Sequence, residues 1–306
     1  MSEAPAQSNL PLTQVGDAPG IPFQFVRLLA WAMIAYGILA IAQGVVSIVF
    51  YWRLLPYLVT GADQFTQVGL TGVSGVILTA GIALLFQKKI ASVLTAIIMG
   101  VHLPLCCWWS YRDFQIASSP MAAFEAAFDQ LSQLVPLLAL LVGVWLPDVR
   151  RALRGSGTMN QQDINRPTAA PLSYFAEVQG AGRQVIPFLA WTAMAYGVVG
   201  LLPMMISLWP SLRYLWPNEV IALGANVLFL AYGIPLLRRR HLSALLMAGM
   251  VLQVILSVVQ TYSGPAISYT WAVIYECLGQ IRSLLIPAMI FVALCLPEIR
   301  RSLRRR

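Results

Sequence analysis

Apolar residues run through this chain in blocks of about 20, a length that crosses a hydrocarbon core of roughly 30 Å as helix. Only a helix or a closed barrel satisfies its own backbone there. Short polar breaks delimit eight such blocks, approximately 28–50, 68–86, 90–110, 127–147, 187–208, 219–237, 242–262 and 277–296. The pattern predicts an all-α integral membrane protein with eight transmembrane helices. Asp129 and Arg282 interrupt the outer ends of the fourth and eighth blocks, which makes these the weakest spans. Gln87, Lys88 and Lys89 leave only a tight hairpin between the second and third.

The blocks repeat. A shift of 160 residues lays Leu29, Ala30, Trp31, Ala35, Tyr36, Gly37, Ser47 and Arg53 onto Leu189, Ala190, Trp191, Ala195, Tyr196, Gly197, Ser207 and Arg213. A shift of 151 lays Ser92, Met99, Tyr111, Glu125, Ser132 and Pro136 onto Ser243, Met250, Tyr262, Glu276, Ser283 and Pro287. A shift of 150 lays Leu146, Pro147, Arg150, Arg151 and Arg154 onto Leu296, Pro297, Arg300, Arg301 and Arg304. Each half holds an even number of spans, so the duplication predicts two parallel four-helix repeats related by an axis along the membrane normal. Residues 23–154 form the first repeat and 185–306 the second, the latter ending in a basic tail. Between them the polar stretch from Asp148 to Gln184, rich in Gly and Pro, reads as a cytoplasmic linker centred on residues 155–184. The first 22 residues carry Glu3, Asp17 and four prolines without a basic start, so they read as a disordered lead and not a signal peptide.

Composition agrees with a lipid-embedded chain: 58% of residues are apolar and only 10% charged, against about a quarter charged in soluble domains. The same figures exclude a soluble globular domain, a disordered chain and a disulfide-stapled module. A net charge of +8 would suggest a nucleic-acid partner in a soluble protein, but its placement argues otherwise. Of the 20 Lys and Arg, only Arg53, Arg112, Arg213 and Arg282 fall on one side of the drawn topology, leaving 16 on the other. By the positive-inside rule both termini are cytoplasmic, in a plasma membrane or a bacterial inner membrane. The lipid bilayer is then the main partner, with anionic lipid a candidate at the Arg clusters and another membrane protein a further one. Nucleic acid is not expected.

Polar residues inside spans need a partner, a cavity or a reason. Glu125, Asp129 and Gln133 fall at i, i+4 and i+8 on the fourth span, ahead of Pro136. Glu276, Gln280 and Ser283 fall at i, i+4 and i+7 on the eighth, ahead of Pro287. His102 and Gln253 occupy equivalent places on the third and seventh, and Tyr36, Gln43 and Ser47 share one face of the first. These sets mark a candidate outward-facing cavity between the repeats. The plainer reading is interhelical hydrogen bonding, about 1 kcal/mol each. His102 stands without a titratable repeat partner, which favours a structural histidine over a relay. Cys106, Cys107, Cys277 and Cys295 lack metal-binding or redox spacing, leaving a Cys107 to Cys277 bridge open.

No Walker loop, dinucleotide fingerprint or nucleophile elbow occurs; Gly72, Val73, Ser74 and Gly75 fall short of the last. Neither an enzyme nor a cofactor or metal is therefore expected. Two functions remain: a protein that binds or transports a small polar molecule or lipid through the outer cavity, and a non-catalytic scaffold or accessory subunit using the same residues for packing.

Overall fold

A computed structural model describes residues 21–54, 61–86, 88–116, 134–147, 149–150, 153, 171–208, 217–238, 243–263 and 270–304, nearly all of them helical. In chain order the helices are α1 (Ile21–Leu54), α2 (Gly61–Leu85), α3 (Ile90–Ile116), α4 (Leu134–Trp145), α5 (Pro171–Leu208), α6 (Pro217–Leu237), α7 (Ser243–Ser263), α8 (Thr270–Cys295) and α9 (Pro297–Arg304). Six of them hold segments long and apolar enough to cross a membrane: Gln24–Val49, Val68–Leu85, Ile90–Trp108, Gln184–Leu202, Val220–Leu237 and Val273–Cys295. The fourth and seventh blocks appear among the described residues as the shorter apolar segments Leu134–Trp145 and Ala244–Leu256.

Two of these elements differ from the sequence pattern. Arg282 lies well inside the Val273–Cys295 segment and does not cut its outer end, because the surrounding residues are apolar enough to carry one charge. The helix α5 starts at Pro171, so its first turns are built from the polar stretch that precedes the fifth block. The expected hairpin is present: α2 and α3 are joined by a turn in which the Lys88 amide donates to Ala83 O at 2.8 Å and the Ala91 amide to Lys88 O at 3.0 Å.

Packing follows two similar rows. The helix α2 lies between α1 and α3, and α6 lies between α5 and α7. The α1–α2 crossing is close because Gly37 sits on the Leu78 backbone, where a methyl would stand 2.8 Å from Leu78 N. Gly197 sits on α6 in the same way, its methyl position 2.7 Å from Leu230 N. Small residues serve such contacts in lipid, where there is no hydrophobic force between helices and association rests on van der Waals approach. Gly81 against Ile34 and Gly233 against Met194 complete the two crossings. An offset of 152 thus relates Leu78 to Leu230 and Gly81 to Gly233.

The helix α8 leaves its own row to pack along α1 as well as α7. On the other side α4 reaches both α1 and α5, since a methyl on Gly143 would meet Leu29 Cδ1 at 3.0 Å and Phe188 Cζ at 3.3 Å. Where the apolar segments of α1 and α5 begin, Phe25 packs on Phe188, edge to face at 6.0 Å. Side chains on the outside are apolar as well: Trp31 and Trp191, 160 residues apart, are 59% and 63% exposed. In lipid such exposure costs nothing. The helix α9, opened by Pro297 at the position where its missing N–H is harmless, buries Ile299 and Leu303 against the bundle. Val149 and Leu153 are buried alike after Pro147.

Candidate functional site

Polar side chains gather where α1 meets α8. On α1, Tyr36, Gln43 and Ser47 are spaced i, i+7 and i+11, so they share one face, and all three are buried. On α8, Gly279 and Arg282 are one turn apart. The Arg282 guanidinium lies over the Tyr36 ring, with Cζ 5.6 Å from the centroid, a cation–π arrangement. Gly279 makes room for Gln43: a methyl there would stand 3.1 Å from Gln43 Nε2. The two contacts order the helices as an antiparallel seam.

Depth follows from helix rise. Tyr36 stands about 18 Å along α1 from Gln24, and Arg282 about 20 Å along α8 from Cys295, at 1.5 Å per residue. The two therefore sit at one level, past the middle of a hydrocarbon core of about 30 Å. His102, about 18 Å from Ile90 on α3, reaches a similar level. The Arg282 charge acts electrostatically on His102 and on Cys106 one turn further along α3. Gln43 and Ser47 extend the polar face toward the end of the bundle opposite Arg150, Arg238 and Arg300.

Several atoms in this cluster have no hydrogen-bond partner among the described residues: Gln43 Oε1, Ser47 Oγ and His102 Nδ1. Each is a buried polar atom left unsatisfied at a cost of about 1–3 kcal/mol. The contrast with other hydroxyls is sharp. Ser74 Oγ donates to Leu70 O at 2.9 Å, Thr79 Oγ1 to Gly75 O at 2.9 Å and Thr192 Oγ1 to Phe188 O at 2.8 Å, each satisfied on the turn before. Ser47 does not use that local option.

Other polar residues are consumed by packing. Trp145 Nε1 donates to Thr95 Oγ1 at 3.2 Å, tying α4 to α3. Ser283 Oγ donates to Gln280 O within α8 at 2.8 Å. The Ser283 carbonyl would normally accept from the amide four residues on, but that residue is Pro287, which has none. Tyr196 OH on α5 donates to it instead, at 3.2 Å. Pro287 thus explains why Tyr196 faces α8.

Of the residues singled out from the sequence, His102 joins the Arg282 cluster. Gln280 is half-buried on α8 between Gly279 and Arg282, and Gln253 is buried on α7. Ser283 is held by its own helix. Glu125, Asp129 and Gln133 lie outside the described residues, as does the side chain of Glu276. Arg282, Tyr36, Gln43, Ser47 and Cys106 are the members that the sequence reading did not select together. Their signal was a single charge inside an apolar block beside a polar face on the first span.

All four cysteines are free, Cys106 buried and Cys107 exposed, so no bridge joins Cys107 to Cys277. Among the described residues, no three His, Cys, Asp or Glu side chains stand together as a metal site would need. Chemically, the cluster offers a fixed cation with planar N–H donors and an imidazole deep in the span, with a carboxamide and a hydroxyl toward its far end. No protein-family model, curated protein or solved structure matches the chain.

Proposed function

We propose that this protein binds, and by extension transports, a small polar molecule or lipid headgroup in the seam between its two halves. The observation that carries the reading is the set of unpartnered buried polar atoms on His102, which feels the Arg282 charge, and on Gln43 and Ser47 further along the α1 face that Arg282 meets at Tyr36. Charged side chains inside spans are rare and mark ligand or ion paths more often than packing. The halves themselves are read as parallel four-helix repeats, eight spans in all, with both termini cytoplasmic. The recurrence of the Gly37–Leu78 crossing at Gly197–Leu230 supports that arrangement, as does the equal exposure of Trp31 and Trp191. The seam belongs to both halves, since α1 comes from one and α8 from the other.

The test is thiol accessibility in a chain whose four native cysteines are replaced. Ser47→Cys, Gln43→Cys and Gln280→Cys should react with a membrane-impermeant thiol reagent, in an order that falls with depth. Ile281→Cys, on the exposed and therefore lipid-facing side, should not react. Protection of all three seam positions would remove the reading. A scaffold or accessory subunit is the second reading. It is favoured by Tyr196 to Ser283 and Trp145 to Thr95, where polar side chains serve helix packing alone.

A further inference from the structure

We propose that the end of the bundle carrying the Arg clusters docks the phosphate headgroups of anionic phospholipids, on a basic helical turn built twice, after α4 and after α8. The inference does not depend on the seam. The pattern Leu-Pro-acid-aliphatic-Arg-Arg-x-Leu-Arg stands at 146–154 and again at 296–304. Its backbone repeats too. The Leu146 amide donates to Gly143 O at 3.3 Å and the Arg150 amide to Leu146 O at 2.9 Å; 150 residues on, the Leu296 amide donates to Ala293 O at 3.1 Å and the Arg300 amide to Leu296 O at 3.0 Å. A tight i to i−3 bond closes the apolar helix, and an i to i−4 bond opens the next turn at once. Val149 and Leu153 are buried in the first copy, Ile299 and Leu303 in the second, while Arg150 and Arg300 are exposed. At about 100° per residue, positions 300, 301 and 304 fall on the side of α9 away from Ile299 and Leu303.

Number and placement both bear on what this surface meets. Thirteen Lys and Arg stand in 87–89, 148–154, 238–241 and 296–306, against two acids, Asp148 and Glu298. Pairing both acids still leaves eleven cations. Topology needs only their number and side. Here the backbone is fixed as well, because α9 rests its apolar face on the bundle at α5 and α8. A row of cations held in place loses less freedom on meeting a headgroup than a loose tail does. Position favours lipid as the occupant: α9 starts two residues past Cys295, where the apolar segment of α8 stops, so its arginines stand at headgroup level. In the first copy Trp145 Nε1 donates to Thr95 Oγ1 at 3.2 Å, and the Arg150 Cζ lies 5.2 Å from the Trp145 ring centroid. Partly exposed indoles at the ends of spans settle at the membrane interface. Exposed Lys89, at the foot of α3, stands about 9 Å from Thr95 by helix rise. Each cation near an anionic leaflet strengthens the attraction about fivefold.

The experiment titrates the full chain in nonionic-detergent micelles with dioctanoyl phosphatidylglycerol, dioctanoyl phosphatidylcholine or a single-stranded oligonucleotide, and reads thermal unfolding by tryptophan fluorescence. A saturable upward shift with phosphatidylglycerol, weakened by salt and absent with phosphatidylcholine, is the expected result. Two double variants of equal charge loss separate placement from charge. Arg300→Gln with Arg304→Gln, on the fixed turn, should remove one of the two copies and with it about half of the shift. Arg305→Gln with Arg306→Gln, beyond the last residue of α9, should leave most of it. Adding Arg150→Gln and Arg154→Gln to the first variant should abolish the shift. If Arg300→Gln with Arg304→Gln does not fold, Arg150→Gln with Arg154→Gln reads the other copy in its place. Equal shifts with the two phospholipids, no shift with either, or equal loss in the two double variants would overturn the proposal. Tighter binding of the oligonucleotide than of phosphatidylglycerol would overturn it too, by assigning the surface to a soluble polyanion.

Discussion

Replacing Gly197 with alanine puts a methyl group 2.7 Å from both the Asn226 carbonyl oxygen and the Leu230 amide nitrogen. Both atoms are backbone, so neither can swing away as a side-chain tip would. Ordinary contact begins near 3.4 Å. The helices α5 and α6 must therefore part by about 0.7 Å at the crossing, a gap that forfeits a quarter to a half of each affected dispersion contact. Overpacking of this kind costs about 1–3 kcal/mol, while alanine regains about 0.5–1 kcal/mol of helix propensity over glycine. The net expectation is a loss of about 1–2 kcal/mol. Gly75 is the matched control, since a methyl there meets nothing within 4 Å. Gly75→Ala should be neutral or gain up to about 1 kcal/mol. Gly37→Ala, whose methyl would stand 2.8 Å from Leu78 N, should behave as Gly197→Ala does. Reversible unfolding in mixed micelles, by tryptophan fluorescence against denaturing detergent, gives the comparison. Equal stability of Gly197→Ala and Gly75→Ala would refute the close crossing.

Tyr196→Phe keeps the edge-to-face contact with Phe229 at 5.1 Å but loses the donor to Ser283 O, and should cost about 1 kcal/mol. In a Pro287→Ala background the restored amide can satisfy that carbonyl, so the cost of Tyr196→Phe should shrink; an unchanged cost in a double-mutant cycle would contradict the role given to Pro287. Unreduced protein, denatured and treated with a maleimide, should take up four labels per chain because all four cysteines are free. Two labels instead of four, by intact mass, would indicate a disulfide.

The length of the apolar blocks was enough to predict where helices run, because a backbone buried in lipid must be helix or closed barrel and blocks of about 20 residues are twice the length of a spanning strand. The α2–α3 hairpin was equally legible from Gln87, Lys88 and Lys89. What a linear pattern does not hold is which face meets which neighbour. Arg282 reads as an interruption near the end of a block, yet it lies inside α8, with the ring of Tyr36, about 246 residues earlier in the chain, beside it. Tyr36, Gln43 and Ser47 were visible as one face of the first span, but only the approach of Gly279 shows what that face is turned toward. Ser283 illustrates the opposite case. Its position in a polar stripe suggested a cavity, whereas its hydroxyl closes on Gln280 O and its carbonyl on Tyr196, consequences of Pro287 that stripe spacing alone does not reveal.

Everything attributed to the seam depends on α8 lying antiparallel along α1 with Gly279 at Gln43. The direct measurement places Gln43→Cys and Gly279→Cys in a chain without native cysteines and with a protease site inserted in the 155–184 stretch. After treatment with a short bifunctional thiol reagent, protease cleavage and denaturation, the two halves should remain joined on a gel. The pair Gln43→Cys and Ile281→Cys, whose second position is 51% exposed, should fall apart. Separation of the first pair, or equal joining of both, would contradict the seam.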